Sequence, residues 1–363
     1  MKPWVDGIHA YVPGKAGLGT RPVVAKLSSN ENPFGPSPGA VAAMTAVLGT
    51  SHLYPDPAST ALREALAARH GIAADRIICG TGSDELIHLV AGAFAGPGDE
   101  VLYVRHGFAV YDIAARRVGA TPVVAPDVDY TCDVDAVLAA VTARTRVVFL
   151  ANPNNPTGTL ISAADVRRLH AGLPADCIFA LDAAYAEFAE GAYEDGIGLA
   201  QAHPNVVALR TFSKIYGLAA QRIGWGYAQP ALIDAMHRIR APFNVPTTGQ
   251  VGAIAALADV DWVEKTRVHT IMWRQWLAGE IAALGNAGIR AIPSAANFVL
   301  VEFPEAGPVT AAAANAALLE DGIIARYLAV QAMPRCIRIS IGTEAETRAA
   351  AAALRRFVER ASA

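Results

Sequence analysis

Between Ala58 and Ala228, short apolar runs alternate with helical stretches, and this alternation restricts the chain to a sheet layered between helices. Strands are expected at Arg76–Cys79, Val101–Arg105, Pro122–Ala125, Val147–Ala151, Ile178–Leu181 and Val206–Leu209. Helices are expected at Leu62–His70, Ser83–Ala95, Ala109–Val118, Val134–Val141 and Ala163–Ala171, with Ser83 and Asp84 capping the second. Strands apolar on both faces and separated by helices suit a mostly parallel sheet buried on both sides. Ile223–Ala228 follows without a long helix, so it is expected to run antiparallel. A long helix over Trp262–Leu284 leads into a second α/β unit. That unit comprises strands Phe298–Phe303, Gly322–Arg326 and Ile337–Ile341 and helices Val309–Asp321 and Glu344–Ala361. The expected organisation is an N-terminal arm (1–45), a large domain (46–245) and a smaller C-terminal domain (246–363), with the Pro- and Gly-rich arm extended and packing with the small domain and a partner subunit.

Composition narrows the class. Hydrophobic residues make up 53% and charged residues 17% of 363 positions, which excludes a disordered chain and suits more than one core. A net charge of −3 without a basic run argues against nucleic-acid or anionic-membrane partners. Cys79, Cys132, Cys177 and Cys336 lie far apart with no CxxC pair, so reduced thiols in a cytoplasmic protein are expected and no metal site. The N-terminus lacks an apolar signal core, and Pro, Gly or charge breaks each apolar stretch before membrane-spanning length.

Four segments bear chemistry. The first runs from Arg210 to Gly226 and contains Lys214 just after a buried strand. A partly desolvated lysine amine is nucleophilic toward an aldehyde. Thr211 and Ser213 supply hydroxyls and Arg222 a cation, the set that a phosphate ester needs. A surface lysine near a loop is the plainer alternative. The second, Asn152–Gly158, follows a strand, where open α/β sheets bind ligands. Asn155 could donate to a ring oxygen there, although Asn/Pro/Gly clusters also form simple turns. In the third, Leu181–Phe188, Asp182 follows an apolar strand and needs a partner. A pyridinium nitrogen is suitable, with Tyr185 reaching the ring hydroxyl; a helix cap is the alternative. The fourth, Cys79–Glu85, is a strand, glycine turn and helix start able to bind phosphate. Glu85 occupies the third glycine position of a dinucleotide fingerprint, so that reading is excluded.

Together these segments resemble the fold-type I pyridoxal-phosphate aminotransferases, and among them the histidinol-phosphate aminotransferase family. The resemblance runs nearly end to end, through Tyr11–Lys15, Lys26–Pro33, Tyr54–Asp56, Asn152–Gly158, Arg210–Gly217 and Arg338–Glu344. It implies a mixed, mostly parallel seven-stranded sheet with covering helices and a smaller α/β domain. Lys214 would carry pyridoxal 5′-phosphate as a Schiff base and move the substrate's α-proton. Asp182 would pair with the ring nitrogen, and Asn155 and Tyr185 would hold the ring hydroxyl. The phosphate cup would comprise Ser83 and Asp84 (through backbone N–H), Thr211, Ser213 and Arg222. Phe108 would stack on the ring, with His106 beside it a minor candidate. Tyr54 would reach the phosphate from a partner subunit, implying a homodimer. Tyr11, Asn155, Arg326 and Arg338 would contact substrate, with the arginines on an anionic group. Asp182-Ala-Ala-Tyr185 lacks the glutamate that many relatives have after the aspartate, a departure that leaves ring pairing intact.

The implied reaction is transamination between L-histidinol phosphate and 2-oxoglutarate. Tyr327 and Leu328 follow Arg326 beside the expected pocket, so an aromatic amino acid is the second substrate reading, and a phospho-amino-acid decarboxylase the third. A Ser213–Lys214 hydrolase is disfavoured because chain neighbours point apart and no GxSxG elbow exists. A catalytically dead binding protein is disfavoured because each matched position retains a competent residue.

Overall fold

The structure is a computed structural model that describes residues 1–362. Its N-terminal segment begins with a short helix, α1 (Pro3–Asp6), then strand β1 (Ala25–Lys26) and helix α2 (Pro38–Ala46). The segment is therefore not extended throughout: Pro38 starts α2 and Ser37 caps it by accepting from the Ala40 N–H.

Helix α3 (Thr60–His70) precedes the β/α alternation. Strand β2 (Ile77–Gly80) leads to α4 (Gly82–Phe94), β3 (Glu100–Val104) to α5 (Val110–Arg117), and β4 (Thr121–Ala125) to a small hairpin, β5 (Asp127–Val128) and β6 (Thr131–Cys132). Helix α6 (Val134–Ala139), β7 (Thr145–Ala151), α7 (Ala163–Ala171), β8 (Ile178–Asp182), α8 (Ile197–Ala202), β9 (Val206–Thr211) and β10 (Gly224–Ala228) complete this part. Side-chain caps at Asp133 and Ser162 fix the starts of α6 and α7. Seven strands form one sheet in the order β2-β10-β9-β8-β7-β3-β4. β10 runs antiparallel to both its neighbours, as its short connection requires, and the β9-β8-β7-β3-β4 run is parallel. Apolar cores cover both faces of this sheet.

Ser83 and Asp84 do not cap α4. The helix begins at Gly82 with Thr81 at the cap, and the Glu85 carboxylate takes the Thr81 N–H and hydroxyl instead. Ser83 and Asp84 stand in the first turn, where backbone N–H groups have no partner inside a helix.

Helices α9 (Pro230–Ile239), α10 (Thr247–Ala258) and α11 (Val260–Ala282) follow. α10 packs on α2 and α3 and buries Ala253, Ala256 and Leu257. The second sheet has the order β11-β12-β15-β14: β11 (Arg290–Ile292), β12 (Phe298–Glu302), β14 (Arg326–Tyr327) and β15 (Cys336–Ser340). Helices α12 (Ala311–Glu320) and α13 (Glu344–Ser362) pack against it around a separate apolar core. The expected strand Gly322–Arg326 is two strands. β13 (Ile323–Ile324) pairs in parallel with β1 of the N-terminal segment, and β14 pairs with β15. Each half has its own partner, which splits the element at Ala325.

Candidate active site

The carboxyl ends of β7, β8 and β9 open onto a cavity of about 530 Å³, closed on the other side by the N-terminal segment and the second sheet. Lys214, Asp182, Asn155 and Tyr185 line it together with Arg326 and Arg338. Ser83, Asp84, Phe108, Thr211, Ser213 and Arg222 line it too, with Tyr11 toward the arm. Residues spread over more than 300 positions thus converge on one space.

Lys214 follows the buried end of β9, and its Nζ lies 5.5 Å from the centre of the Tyr185 ring. Asp182 ends β8 and is buried. Burial pushes its carboxyl up to about 6, opposed by hydrogen bonds from the Tyr111 hydroxyl at 2.8 Å and the Ala184 N–H at 3.2 Å. A buried carboxylate held by two neutral donors makes no ion pair, and a protonated ring nitrogen fits that need. Tyr111 itself stacks on Phe149 at 4.8 Å and meets Phe108 edge-on at 5.9 Å.

On the phosphate side, Thr211 Oγ1 donates to Ser213 Oγ at 3.0 Å and accepts from the Ser213 N–H at 3.1 Å. Arg222 has φ +52°, donates to the Ala219 carbonyl at 3.1 Å and stands 3.7 Å from the Asp84 carboxylate. Two glycines make room for this cradle. Gly82 has φ +81°, and a Cβ there would lie 2.8 Å from the Arg222 guanidinium. A Cβ on Gly224 would lie 2.4 Å from the Gly82 carbonyl carbon and the Ser83 nitrogen, so β10 and the start of α4 touch backbone to backbone. Open N–H groups, two hydroxyls and a guanidinium are the donor set of a phosphate monoester.

Arg326 and Arg338 face each other directly across β14 and β15, and both are buried. Arg326 donates to the Val12 carbonyl at 2.5 Å; Arg338 donates to Asn155 Oδ1 at 2.5 Å and the Ser28 carbonyl at 2.9 Å. Arg338 Nε is buried without a protein partner, and burial holds this arginine below its ordinary pKa. The contact to Arg338 uses the Asn155 oxygen and leaves its amide nitrogen for the cavity.

Tyr54, expected to reach the site of a partner subunit, is 81% exposed, stacks on Phe243 at 4.6 Å and does not line the cavity of its own chain. Two other expectations meet a different geometry. His106 points away from the cavity: its Nδ1 meets the Asp127 carboxylate at 2.9 Å and its carbonyl accepts from Asn154. Tyr327 and Leu328, expected beside the pocket, pack into apolar cores: Tyr327 follows Arg326 in β14 and so points to the opposite face, and Leu328 lies beyond the end of the strand. Two residues not anticipated, Tyr111 and Asn30, contact the Asp182 and Tyr185 side chains. Tyr111 reads as an ordinary apolar-face position of α5, and the contact partners of Asn30 lie 155 and 310 residues away, beyond any local pattern. Among the described residues no group of His, Cys, Asp or Glu could hold a metal ion, and no helix is long and apolar enough to cross a membrane.

Known proteins share this fold. The family model for aminotransferase class I and II matches residues 22–354, and the chain belongs to that family. Among curated relatives, the histidinol-phosphate aminotransferase of Sphingopyxis alaskensis is 56% identical over 98% of this chain and 96% of its own length. The one from Zymomonas mobilis is 53% identical over 99% and 97%. Within the class, the chain belongs with the histidinol-phosphate aminotransferases. The crystal structure of the Sinorhizobium meliloti histidinol-phosphate aminotransferase in complex with pyridoxal 5′-phosphate superposes with a TM-score of 0.91 at 32% identity, covering 99% of this chain and 98% of that one.

Proposed function

We propose that the protein transfers an amino group from L-histidinol phosphate to 2-oxoglutarate, giving imidazole acetol phosphate and L-glutamate, a step of histidine biosynthesis. The carrying observation is the buried pair Arg326 and Arg338, facing each other in the same cavity as Lys214 and Asp182. Like charges directly opposite in a sheet repel, and buried guanidinium groups need anions. A phosphate monoester carries about −1.5 to −2 charges near neutral pH, and glutamate brings two carboxylates. Either matches two arginines, whereas phenylalanine offers one carboxylate.

Pyridoxal 5′-phosphate is the cofactor. Its phosphate suits the donors of Ser83, Asp84, Thr211, Ser213 and Arg222, and its ring nitrogen suits Asp182. When bound, it supplies an electron sink for the pair left on the substrate α-carbon. Lys214 Nζ would take the proton from the substrate α-carbon and deliver it to C4′ of the cofactor, the carbon that ends up bearing the amino group. Asp182 holds the ring-nitrogen proton, Asn155 and Tyr185 hold the ring oxygen, and Phe108 covers the ring face. Tyr11 and the N-terminal segment close over the substrate and exclude water. The division at residues 45 and 245 belongs to the same proposal, as do a homodimer completed by the exposed Tyr54 and a cytoplasmic location.

Lys214→Ala tests the core of this reading. The purified variant is expected to lose both the visible absorbance and transamination while keeping its thermal stability without cofactor. Retained turnover would overturn it.

A further inference from the structure

Asn30 is buried to 1% exposure and adopts φ +57°, a left-handed conformation that asparagine tolerates better than most residues. Its polar groups are all engaged, and their directions can be assigned. The Asn30 N–H donates to Ser340 Oγ at 2.9 Å. That oxygen accepts, so its own hydrogen goes to Asn30 Oδ1, also at 2.9 Å. The amide nitrogen is thereby turned toward the Tyr185 hydroxyl, 2.8 Å away. An amide nitrogen only donates, so the phenol oxygen is the acceptor. The Asn30 carbonyl accepts from Asn297 Nδ2 at 3.0 Å. With its oxygen receiving from Asn30, Tyr185 has its own hydrogen free for another acceptor, and Tyr185 lines the cavity beside Lys214.

We infer that Asn30 is a positioning residue that commits the Tyr185 hydroxyl to donate into the cavity, and that it links this donor to the strand carrying Arg338. Arg338 and Ser340 are two apart on β15 and share a face. Arg338 also holds the Ser28 carbonyl, so the Ser28–Asn30 segment is tied to β15 at two points. This inference rests on the proposed function for the acceptor, the ring oxygen of pyridoxal 5′-phosphate.

The test is a double-mutant cycle on the full chain with Asn30→Asp and Tyr185→Phe. Cofactor-free protein is titrated with pyridoxal 5′-phosphate by absorbance, and the pH midpoint of the visible band is measured for each holoenzyme. A carboxylate at position 30 accepts only, so Tyr185 turns its hydrogen back toward it. Asn30→Asp is then expected to weaken cofactor binding roughly tenfold or more, the worth of a hydrogen bond to a charged oxygen, and to raise the midpoint. In the Tyr185→Phe background the same substitution should change both by less than about twofold, because its effect runs through the lost hydroxyl. Equal effects in both backgrounds, or none in the wild type, overturn the inference. Should Asn30→Asp fail to fold, Ser340→Ala takes its place in the cycle. It frees the amide to turn and should move the midpoint in the same direction; no movement overturns the inference. A wild-type protein that develops no visible band on titration contradicts the proposed function itself.

Discussion

At the scale of single residues, burial governs Asp182. Its carboxyl makes no ion pair, and desolvation outweighs its hydrogen bonds and the more distant Lys214 charge, so that it sits near pKa 6 in the folded chain, against an ordinary value of 3.8. Between those values the folded chain keeps a proton that the unfolded chain has released, so stability falls as pH rises through that window. Asp182→Asn has no proton to lose. The cofactor-free variant should therefore gain stability over the wild type between pH 4 and 6, by on the order of 2–3 kcal/mol, and hold that margin above pH 6. Denaturant melts at several pH values measure the margin; one that does not change with pH would contradict this account. Lys214, Asp182, Asn155 and Arg222 were legible in the sequence because each follows a recognisable strand or turn. Asn30 and Tyr111 were not, since an asparagine in an Asn/Pro-rich segment and a tyrosine on an amphipathic helix carry no local sign of a partner across the fold.

At the scale of elements, the cofactor cradle depends on β10 lying against the first turn of α4 with no side chain between them. Gly224 supplies that contact. Gly224→Ala would force a Cβ to within 2.4 Å of backbone atoms at Gly82 and Ser83 and so push the open N–H groups out of line with Arg222. Titration with pyridoxal 5′-phosphate is expected to show binding weakened by tenfold or more, with a stability loss of about 1–3 kcal/mol, the range for an overpacked site. Unchanged affinity would mean that the first turn of α4 does not hold the phosphate. The β/α alternation was readable because strands apolar on both faces require covering helices. α10 escaped notice because Thr247–Ala258 is small and apolar on nearly every side and shows no 3.6-residue pattern. The pairing of β1 with β13 escaped it because two-residue strands almost 300 positions apart leave no periodic trace.

At the scale of the whole molecule, Leu48, Leu53 and Tyr54 are all exposed within seven positions of one another, and Tyr54 stacks on the exposed Phe243. An aromatic pair left in solvent is explained if a second copy covers it and takes Tyr54 toward its own cofactor phosphate. Light scattering should give twice the chain mass. Tyr54→Phe should leave that mass and the melting temperature unchanged yet weaken pyridoxal 5′-phosphate binding severalfold; a monomeric wild type would contradict the shared site. The two facing arginines belong to this scale as well, since the N-terminal segment, the second sheet and the Asn155 loop all meet at them. Arg326 and Arg338 were identifiable as residues, but their direct opposition across β14 and β15 appears only once the strands pair.

The most direct measurement is a half-reaction followed by visible absorbance, with holoenzyme and no acceptor, first with L-histidinol phosphate and then with L-phenylalanine. The account predicts conversion of the yellow form to the pyridoxamine form much faster with histidinol phosphate, because its phosphate matches the charge of Arg326 and Arg338. Faster conversion by phenylalanine would contradict it and assign the arginine pair to a carboxylate.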